Sequence, residues 1–193
     1  LTNYFNEFCI FVFSKKLFLH FMDRIYLLGY MGSGKSTIGR LLSKKINYSF
    51  IDLDSFIENR YHMKINDFFA KHGEDEFRKI ESKILKEVSE FEHIVIALGG
   101  GTPCFFDNMD LINATGLSIY LKISEESLLS RLVSAKNNRP LIKDKTNEEI
   151  QTFISQTLEK RKPFYEQASI IIENDNQKDA NEIVEEIFHS LGL

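Results

Sequence analysis

One glycine-rich segment, set between an apolar run and a helical pattern, constrains the fold of this chain more than any other feature. Residues 29–36 read Gly-Tyr-Met-Gly-Ser-Gly-Lys-Ser and match the pattern G-x-x-x-x-G-K-[ST]. An apolar run of strand type at residues 24–28 precedes them, and residues 37–45 have apolar side chains at helical spacing. A strand, a glycine-rich loop and a helix N-terminus in this order bring backbone N–H groups together around a phosphate. The segment therefore predicts a nucleotide-binding loop.

The residue types in this loop predict the contact that each position makes. Glycines at 29, 32 and 34 let N–H groups converge on phosphate oxygens, because no Cβ atom obstructs the approach. Lys35 is placed to reach the β- and γ-phosphates, and the Ser36 hydroxyl to bind Mg²⁺. The predicted nucleotide-binding residues of the loop are Gly32, Ser33, Gly34, Lys35, Ser36 and Thr37.

Length and composition exclude several classes of protein. With 193 residues and 43% hydrophobic content, we expect one domain with one sizeable core. The formal net charge of −4 argues against a general nucleic-acid binder, which usually has a basic excess. Cys9 and Cys104 are the two cysteines, and they form neither a C-x-x-C motif nor a Cys/His cluster. Neither a disulfide framework nor a zinc site is therefore predicted.

Residues 1–21 differ from the rest of the chain. They hold six of its 17 phenylalanines, in two apolar runs that are both shorter than the ~20 residues needed to span a bilayer. Glu7 precedes the first run and no small-residue cleavage site follows, so a signal peptide is not predicted. Our hypothesis is that translation starts at Met22, which makes residues 22–193 the domain and residues 1–21 an extension. A weakly membrane-associating segment is the alternative.

Beyond the loop, short apolar strands alternate with amphipathic helical patterns. This order is typical of an α/β fold in which helices cover both faces of a parallel sheet. Predicted strands lie at residues 24–28, 49–53, 94–98, 118–123 and 168–172. Predicted helices lie at residues 36–46, 75–89, 125–133, 147–161 and 179–191. Ligands of such sheets bind at the carboxyl ends of the strands, and the remaining motifs lie at or beside those ends.

Two carboxylates follow the second predicted strand. Asp52 and Asp54 are two residues apart, so alternation along a strand would place both on one face, at the end nearest the loop. There they could serve a metal ion or its water, and an acceptor hydroxyl. The alternative is that Asp54 caps a helix over residues 55–60.

Arginine and glycine motifs flank the third predicted strand. Arg78 and Glu81 are three residues apart on one helical face, so the carboxylate can orient the guanidinium toward an anionic substrate. A solvated charge pair is the alternative. Residues 99–101 are all glycine, which lets a ligand pack directly on the backbone, although a turn would also explain them.

Two further cations stand late in the chain. Arg139 lies in the polar, basic segment 134–146, which we predict to be a lid that brings a positive charge to the phosphates. A surface loop is the alternative. Arg161 closes a predicted helix, in the sequence Arg-Lys-Pro-Phe-Tyr, where a substrate could reach it. Cations at helix C-termini are also common because of the helix dipole.

In their order, these motifs resemble those of the shikimate kinase family over residues 22–193. The marks are the phosphate loop, D-x-D, F-R-x-x-E, G-G-G, R-P-L and R-x-x-x-Y, which stand here at residues 29–36, 52–54, 77–81, 99–101, 139–141 and 161–165. The resemblance implies a three-layer P-loop NTPase fold of the nucleoside-monophosphate-kinase type, with a five-stranded parallel sheet flanked by helices. It also implies Mg²⁺-dependent transfer of the ATP γ-phosphoryl group to the 3-hydroxyl of shikimate, on the route to chorismate and the aromatic amino acids. A cytoplasmic, monomeric enzyme without nucleic-acid or membrane partners is expected.

Carried over to this chain, the resemblance gives each motif residue a role. Asp54 would hold the ring hydroxyls and accept the proton of the 3-hydroxyl. Arg78 and Arg161 would clamp the carboxylate of shikimate, and Gly100 would pack its backbone against the substrate. On the nucleotide side, the expected contacts are Lys35 with the β- and γ-phosphates, Arg139 with the phosphates, and Ser36 and Asp52 with Mg²⁺. The expected catalytic residues are Lys35, Asp54 and Arg139.

The resemblance is incomplete at the adenine site and at the N-terminus. Arg131 is the nearest candidate for the arginine with which family members often cover adenine, and Asn176 and Gln177 are further candidates near the C-terminal loop. Residues 1–21 have no counterpart in the family. Two alternatives stay open: another small-metabolite kinase of the same fold, such as a gluconate kinase, and a catalytically silent homologue that binds nucleotide or a partner.

Overall fold

Strands and helices alternate along the chain in a computed structural model that describes residues 22–134, 145–174 and 177–193. Arg139, Asn176, residues 1–21 and nearly all of the lid segment 134–146 lie outside these ranges. The strands are β1 (Arg24–Leu28), β2 (Ser49–Asp52), β3 (Ile94–Ala97), β4 (Leu117–Lys122) and β5 (Ile170–Glu173). The helices are α1 (Lys35–Ile46), α2 (Leu53–Tyr61), α3 (Ile65–His72), α4 (Glu74–Val88), α5 (Asn108–Thr115), α6 (Glu125–Ser134), α7 (Asn147–Tyr165) and α8 (Ala180–Ser190), with a 3₁₀ turn at Thr102–Cys104. None of these described helices has the length and hydropathy needed to cross a bilayer.

Within the described ranges, five strands form a parallel sheet in the order β2-β3-β1-β4-β5. β1 lies at its centre, where the Cα of Tyr26 pairs with that of Ile96 in β3 and that of Ser118 in β4. All five residues of β1 are buried, as expected of a strand that helices cover on both faces. The predicted fold, a five-stranded parallel sheet flanked by helices, is confirmed.

Alternate residues of β1 belong to two different apolar clusters, one on each face of the sheet. Ile25 and Leu27 pack in an apolar cluster with α1 and α8, whereas Tyr26 and Leu28 pack in a second cluster with α2, α4 and α5. A third cluster joins α6 to α7 and includes Tyr30 of the phosphate loop. The helices thus enclose both faces of the sheet, and the loops at the carboxyl ends of its strands come together at one edge.

The sequence prediction lacks α3 and α5, and it has α2 only as the alternative helix over residues 55–60. They have only eight or nine residues, which is too short for the helical period to stand out in the sequence. Helices of this length depend on packing rather than on intrinsic propensity. The end of α7 also differs, because the helix continues past Arg161 to Tyr165 with Pro163 inside it.

The second strand, predicted at residues 49–53, ends at Asp52. Asp54 lies in the first turn of α2, so the argument from strand alternation is wrong for this pair. The helix cap is Asp52 rather than Asp54, because Oδ1 of Asp52 accepts a hydrogen bond of 3.1 Å from the Ser55 N–H. The turn from β2 into α2 still directs both carboxylates to the same cavity.

Packing of α4 on the sheet predicts a large loss of stability when its core side chain is shortened. Leu85 is fully buried, so Leu85→Ala should lower the free energy of unfolding by about 2–5 kcal/mol, because apolar contacts are lost and a cavity remains. Urea denaturation followed by circular dichroism measures the change. Lys86→Ala, at the exposed neighbouring position, is the control and should change it by less than about 0.5 kcal/mol. Equal effects of the two substitutions would contradict this packing.

Candidate active site

Two adjoining cavities share the phosphate loop that follows β1. The nucleotide cavity, of about 530 Å³, is lined by the phosphate loop together with Arg131, Asn174 and Lys178. The acceptor cavity, of about 340 Å³, is lined by Asp52, Asp54, Arg78, Glu81, Gly99, Gly100, Gly101 and Arg161, among others. Gly32, Lys35 and Ser36 line both cavities. A group bound in one cavity would therefore lie beside a group bound in the other.

The phosphate loop has the backbone that its glycines allow. Gly32 has φ of 91° and Gly34 has φ of 89°, in the left-handed region that side chains with a Cβ rarely adopt. The Lys35 ammonium donates to the carbonyl oxygens of Gly29 at 2.7 Å and Tyr30 at 2.9 Å. The positive charge thus lies against the loop backbone, and Lys35 is itself the first residue of α1. An anion at this point meets both the cation and the positive end of the helix dipole.

Ser36 and Asp52 bring two oxygen ligands together at the start of α1. The Ser36 hydroxyl donates a hydrogen bond of 2.5 Å to Oδ2 of Asp52. An alcohol and a carboxylate are the hard oxygen donors that Mg²⁺ prefers, and Mg²⁺ usually takes few protein ligands beside phosphates and water. No cluster of three or more His, Cys, Asp or Glu residues suited to a metal exists among the described residues. The donor pair therefore fits Mg²⁺ held jointly with a nucleotide.

The three glycines after β3 form a bare stretch of backbone on which charged side chains rest. A Cβ atom on Gly99 would lie 2.7 Å from Oδ1 of Asp54 and 2.9 Å from Oε1 of Glu81. One on Gly100 would lie 3.0 Å from Nη1 of Arg161, and one on Gly101 would lie 2.7 Å from Nη2 of Arg78. Real Cβ atoms essentially never approach within 3.0 Å of such atoms. A Cβ atom at Gly99 or Gly101 would therefore force the charged side chain beside it to shift, so close approach accounts for glycine at these positions, in addition to the turn that the Thr102 N–H closes on the Gly99 carbonyl at 3.1 Å.

Arg78 is a buried cation rather than a solvated one. It is 8% exposed and Glu81 is fully buried. Nη1 donates to Glu81 at 2.8 Å, and Nε and Nη2 donate to Glu74 at 3.1 and 2.8 Å. Charge-assisted hydrogen bonds of this kind fix the plane of a guanidinium group. The alternative of a solvated charge pair is thus wrong for Arg78 and Glu81, and the role of Glu74 was not found from the sequence.

Arg161 reaches the acceptor cavity from α7. Its guanidinium carbon lies 5.6 Å from the ring centroid of Tyr30, within the range of a cation–π contact. One helical turn later, the buried Tyr165 hydroxyl donates a hydrogen bond of 2.5 Å to the Gly100 carbonyl. This bond joins α7 to the glycine backbone. The side chain of Arg161 is held over Gly100 as a result.

Asp54 is a carboxyl whose charge is disfavoured by its surroundings. Burial raises its pKa, and the carboxylates of Glu81 and Asp52 raise the pKa further, to about 6. Lys35 and Arg78 act in the opposite direction and lower this pKa. Asp54 is consequently ionised at neutral pH but readily protonated just below it. A carboxyl with these properties can accept a proton from a hydroxyl group placed beside it.

Arg131 and Asn174 line the nucleotide cavity and donate hydrogen bonds to the phosphate loop. The Arg131 guanidinium donates to the carbonyl oxygens of Gly32 at 3.3 Å and Asn174 at 3.4 Å. The buried Asn174 amide donates to the Ser33 carbonyl. Gln177 is exposed and lies near this region in sequence. Asn174 was missed by the sequence prediction, although its place directly after β5, at the carboxyl edge of the sheet, is a signal that could have found it.

The fold and these two cavities define a P-loop kinase with a site for a small anionic acceptor. The model of the shikimate kinase family matches residues 31–192. This chain belongs to the shikimate kinase family.

Individual relatives agree with that assignment. The shikimate kinase of Azobacteroides pseudotrichonymphae is 57% identical over 78% of this chain and 89% of its own length. The crystal structure of shikimate kinase from Bacteroides thetaiotaomicron matches with a TM-score of 0.84 and 44% identity, over 88% of this chain and 98% of the other. The shikimate kinase of Acinetobacter baumannii, solved in complex with shikimate, matches with a TM-score of 0.79 and 33% identity, over 89% and 94% of the two chains. A gluconokinase from Sinorhizobium meliloti, at 18% identity and a TM-score of 0.57, shares the fold alone.

The raised pKa of Asp54 predicts a pH-dependent cost to stability. Between about pH 4 and pH 6 the folded state binds more protons at Asp54 than the unfolded state does, so stability falls as the pH rises through this range. Asp54→Asn cannot ionise and should escape this loss. The difference in the free energy of unfolding between the variant and the unchanged protein should therefore rise by about 1–3 kcal/mol as the pH is raised from about 4 to about 8. Urea titrations at both pH values, with EDTA present, measure the gain, and a difference that is constant with pH would contradict it.

Proposed function

We propose that this chain transfers the γ-phosphoryl group of ATP to the 3-hydroxyl of shikimate. One observation carries the proposal: Arg78 from α4, Arg161 from α7 and Asp54 from α2 converge on the glycine backbone, next to Lys35 of the phosphate loop. Shikimate has one carboxylate and several ring hydroxyls. Guanidinium groups recognise a carboxylate, and an ionised aspartate accepts hydrogen bonds from hydroxyls.

Relatives support the choice of substrate. The Acinetobacter baumannii enzyme holds shikimate in a structure that resembles this chain over 89% of its length. Several relatives at 46–57% identity are named shikimate kinase. A gluconate kinase activity is not favoured, because the gluconokinase match is a likeness of fold only. A catalytically silent homologue is not favoured either, because Lys35, Asp54, Arg78 and Arg161 are all present and all line the acceptor cavity.

On the acceptor side, Arg78 and Arg161 would clamp the carboxylate of shikimate. Their spacing is set by Gly101 and Gly100, against which they rest. Asp54 would then hold the ring hydroxyls and accept the proton of the 3-hydroxyl as that oxygen attacks phosphorus. Because its pKa is about 6, Asp54 is largely ionised at neutral pH and can take up this proton.

On the nucleotide side, alignment and charge neutralisation matter more than a strong base, because phosphoryl transfer passes through a loose transition state. The N–H groups of Gly32, Ser33, Gly34 and Thr37 would surround the phosphates. Lys35 would leave its present carbonyl partners to neutralise charge on the β- and γ-phosphates. Arg139, outside the described residues, is proposed as a second cation on the phosphates.

Ser36 and Asp52 would hold Mg²⁺. When bound with ATP, the ion neutralises charge on the phosphates and restricts their geometry. We further propose that residues 22–193 form the catalytic domain, and that the enzyme acts as a cytoplasmic monomer, as the family resemblance implies. The lid at residues 134–146 stays a prediction.

The acceptor assignment predicts strict dependence on shikimate and on both arginines. With Mg²⁺-ATP, ADP release should require shikimate and should not occur with gluconate or quinate. Arg78→Lys or Arg161→Lys should raise the KM for shikimate about 10–100-fold, because an ammonium group cannot form the paired hydrogen bonds of a guanidinium. The KM for ATP should change by less than about twofold, since these arginines lie on the acceptor side. A coupled ADP-release assay measures each parameter.

Lys79→Ala provides the matched control, because Lys79 lies beside Arg78 on α4 but is exposed. Its kinetic parameters should equal those of the unchanged enzyme. The assignment of the acceptor site is refuted if Arg78→Lys and Arg161→Lys leave the KM for shikimate unchanged. Release of ADP with gluconate instead of shikimate would move the function to another kinase of this fold.

The proposed metal ligands predict a specific change in Mg²⁺ dependence. Ser36→Ala removes one oxygen ligand, so half-maximal activity should require about tenfold more Mg²⁺, and kcat should fall about tenfold or more. Ser43→Ala is the control, because Ser43 lies on the same helix but donates only to the Arg40 carbonyl. Activity is measured across a Mg²⁺ titration at fixed ATP. An unchanged titration midpoint for Ser36→Ala would show that Ser36 does not hold the ion.

A further inference from the structure

Three aromatic rings surround the guanidinium group of Arg78. Its Cζ lies 4.3 Å from the ring centroid of Phe105, 5.3 Å from that of Phe77 and 5.8 Å from that of Phe69. All three distances fall within the range of about 6 Å in which a ring attracts a cation. Phe105 is the nearest of the three. Phe69 and Phe77 line the acceptor cavity, whereas Phe105 is not among the described residues that line it.

The position of Phe105 follows from the glycine backbone. The 3₁₀ turn Thr102–Cys104 comes directly after Gly101, and Phe105 comes directly after the turn. The turn is closed by a hydrogen bond of 2.9 Å from the Cys104 N–H to the Gly101 carbonyl. The segment that supplies the backbone under Arg78 thus also supplies the nearest ring.

The same turn holds the carboxylate partner of Arg78. The buried Thr102 hydroxyl donates a hydrogen bond of 2.6 Å to Oε1 of Glu81, whose Oε2 accepts from Arg78. The Thr102 carbonyl in turn accepts a hydrogen bond of 2.8 Å from the Asn108 side-chain amide. Residues 102–105 therefore act on Arg78 in two ways, through Glu81 and through the ring of Phe105.

These contacts restrain the guanidinium group in different directions. Hydrogen bonds to Glu74 and Glu81 lie along its edges and fix its orientation within its own plane. An aromatic ring near the guanidinium carbon instead restrains how far the guanidinium plane can tilt and how far the group can move toward or away from the ring. At 8% exposure little water surrounds the guanidinium to weaken either contact.

We propose that Phe105 is a positioning residue for Arg78, and that it thereby sets the affinity of the acceptor cavity for a carboxylate-bearing substrate. This inference rests on the proposed function, in which Arg78 binds the carboxylate of shikimate. Phe105 acts through Arg78, without touching the substrate. Its effect therefore falls on substrate binding and leaves the transfer step largely unchanged.

The test compares Phe105→Leu, which keeps apolar bulk but has no ring, with Phe105→Tyr, which keeps the ring. Phe105→Leu should raise the KM for shikimate about three- to tenfold and change kcat less than about twofold. Phe105→Tyr should keep the KM within about twofold of that of the unchanged enzyme. The measured KM does not depend on the fraction of enzyme that is folded, so partial misfolding of a variant does not imitate the expected result.

Phe106→Leu is the matched control, because Phe106 is the next residue and is 60% exposed. Its KM for shikimate should be unchanged. The second control is a double-mutant cycle: in the Arg78→Lys background, Phe105→Leu should raise the KM by less than about twofold, since the guanidinium on which the ring acts has gone.

The outcomes separate this inference from the proposed function. If Arg78→Lys raises the KM for shikimate while Phe105→Leu does not, the positioning role is wrong and the acceptor site stands. An equal effect of Phe105→Leu in both backgrounds, or a loss confined to kcat, would likewise overturn the positioning role. If Arg78→Lys itself has no effect, the proposed acceptor site fails, and the inference fails with it.

Discussion

Close approach to a bare backbone is the constraint on which this site depends. Gly99, Gly100 and Gly101 each lie against a side chain that leaves at most 3.0 Å for a Cβ atom. Asp54, Arg161 and Arg78 reach these glycines from three different helices. The helices pack against the sheet through apolar faces, so the core sets the distances between the charged groups. A side chain at Gly99 or Gly101 would force the charged group beside it to move away from the backbone.

Most charged groups of the acceptor cavity have polar partners that stabilise their charge, but the surroundings of one carboxyl disfavour its charge. Arg78 is satisfied by Glu74 and Glu81, and Lys35 by two carbonyl oxygens. Asp54 is the exception, because two neighbouring carboxylates and burial raise its pKa to about 6. Protein stability is reduced at neutral pH by that arrangement, yet it supplies a carboxylate able to take up a proton near the pH of the reaction. The site is thus less stable than its packing would allow, which is common for groups that perform chemistry.

Local patterns predicted much of this structure, and the physical reason is the same in each case. The phosphate loop is a continuous segment whose glycines and lysine act on one ligand, so its function is visible in the order of residues. All five strands and the long helices were found because their apolar patterns repeat over enough residues. The short helices α3 and α5 were not predicted, and α2 was predicted only as an alternative, because helices of this length are stabilised by packing rather than by a repeating pattern. The same limit explains why Asp52, rather than Asp54, turned out to be the helix cap.

By itself, the sequence determined the fold class and the phosphate loop, because these follow from local order and spacing, and it identified Asp54, Arg78 and Arg161 as candidates for one site. Only the tertiary structure decided how those residues act on one another. The bond from Tyr165 to Gly100, the amide of Asn174 on the phosphate loop, and the rings around Arg78 join segments that are distant in sequence. Such contacts depend on how helices and strands pack, and packing is a property of the whole core rather than of any one segment.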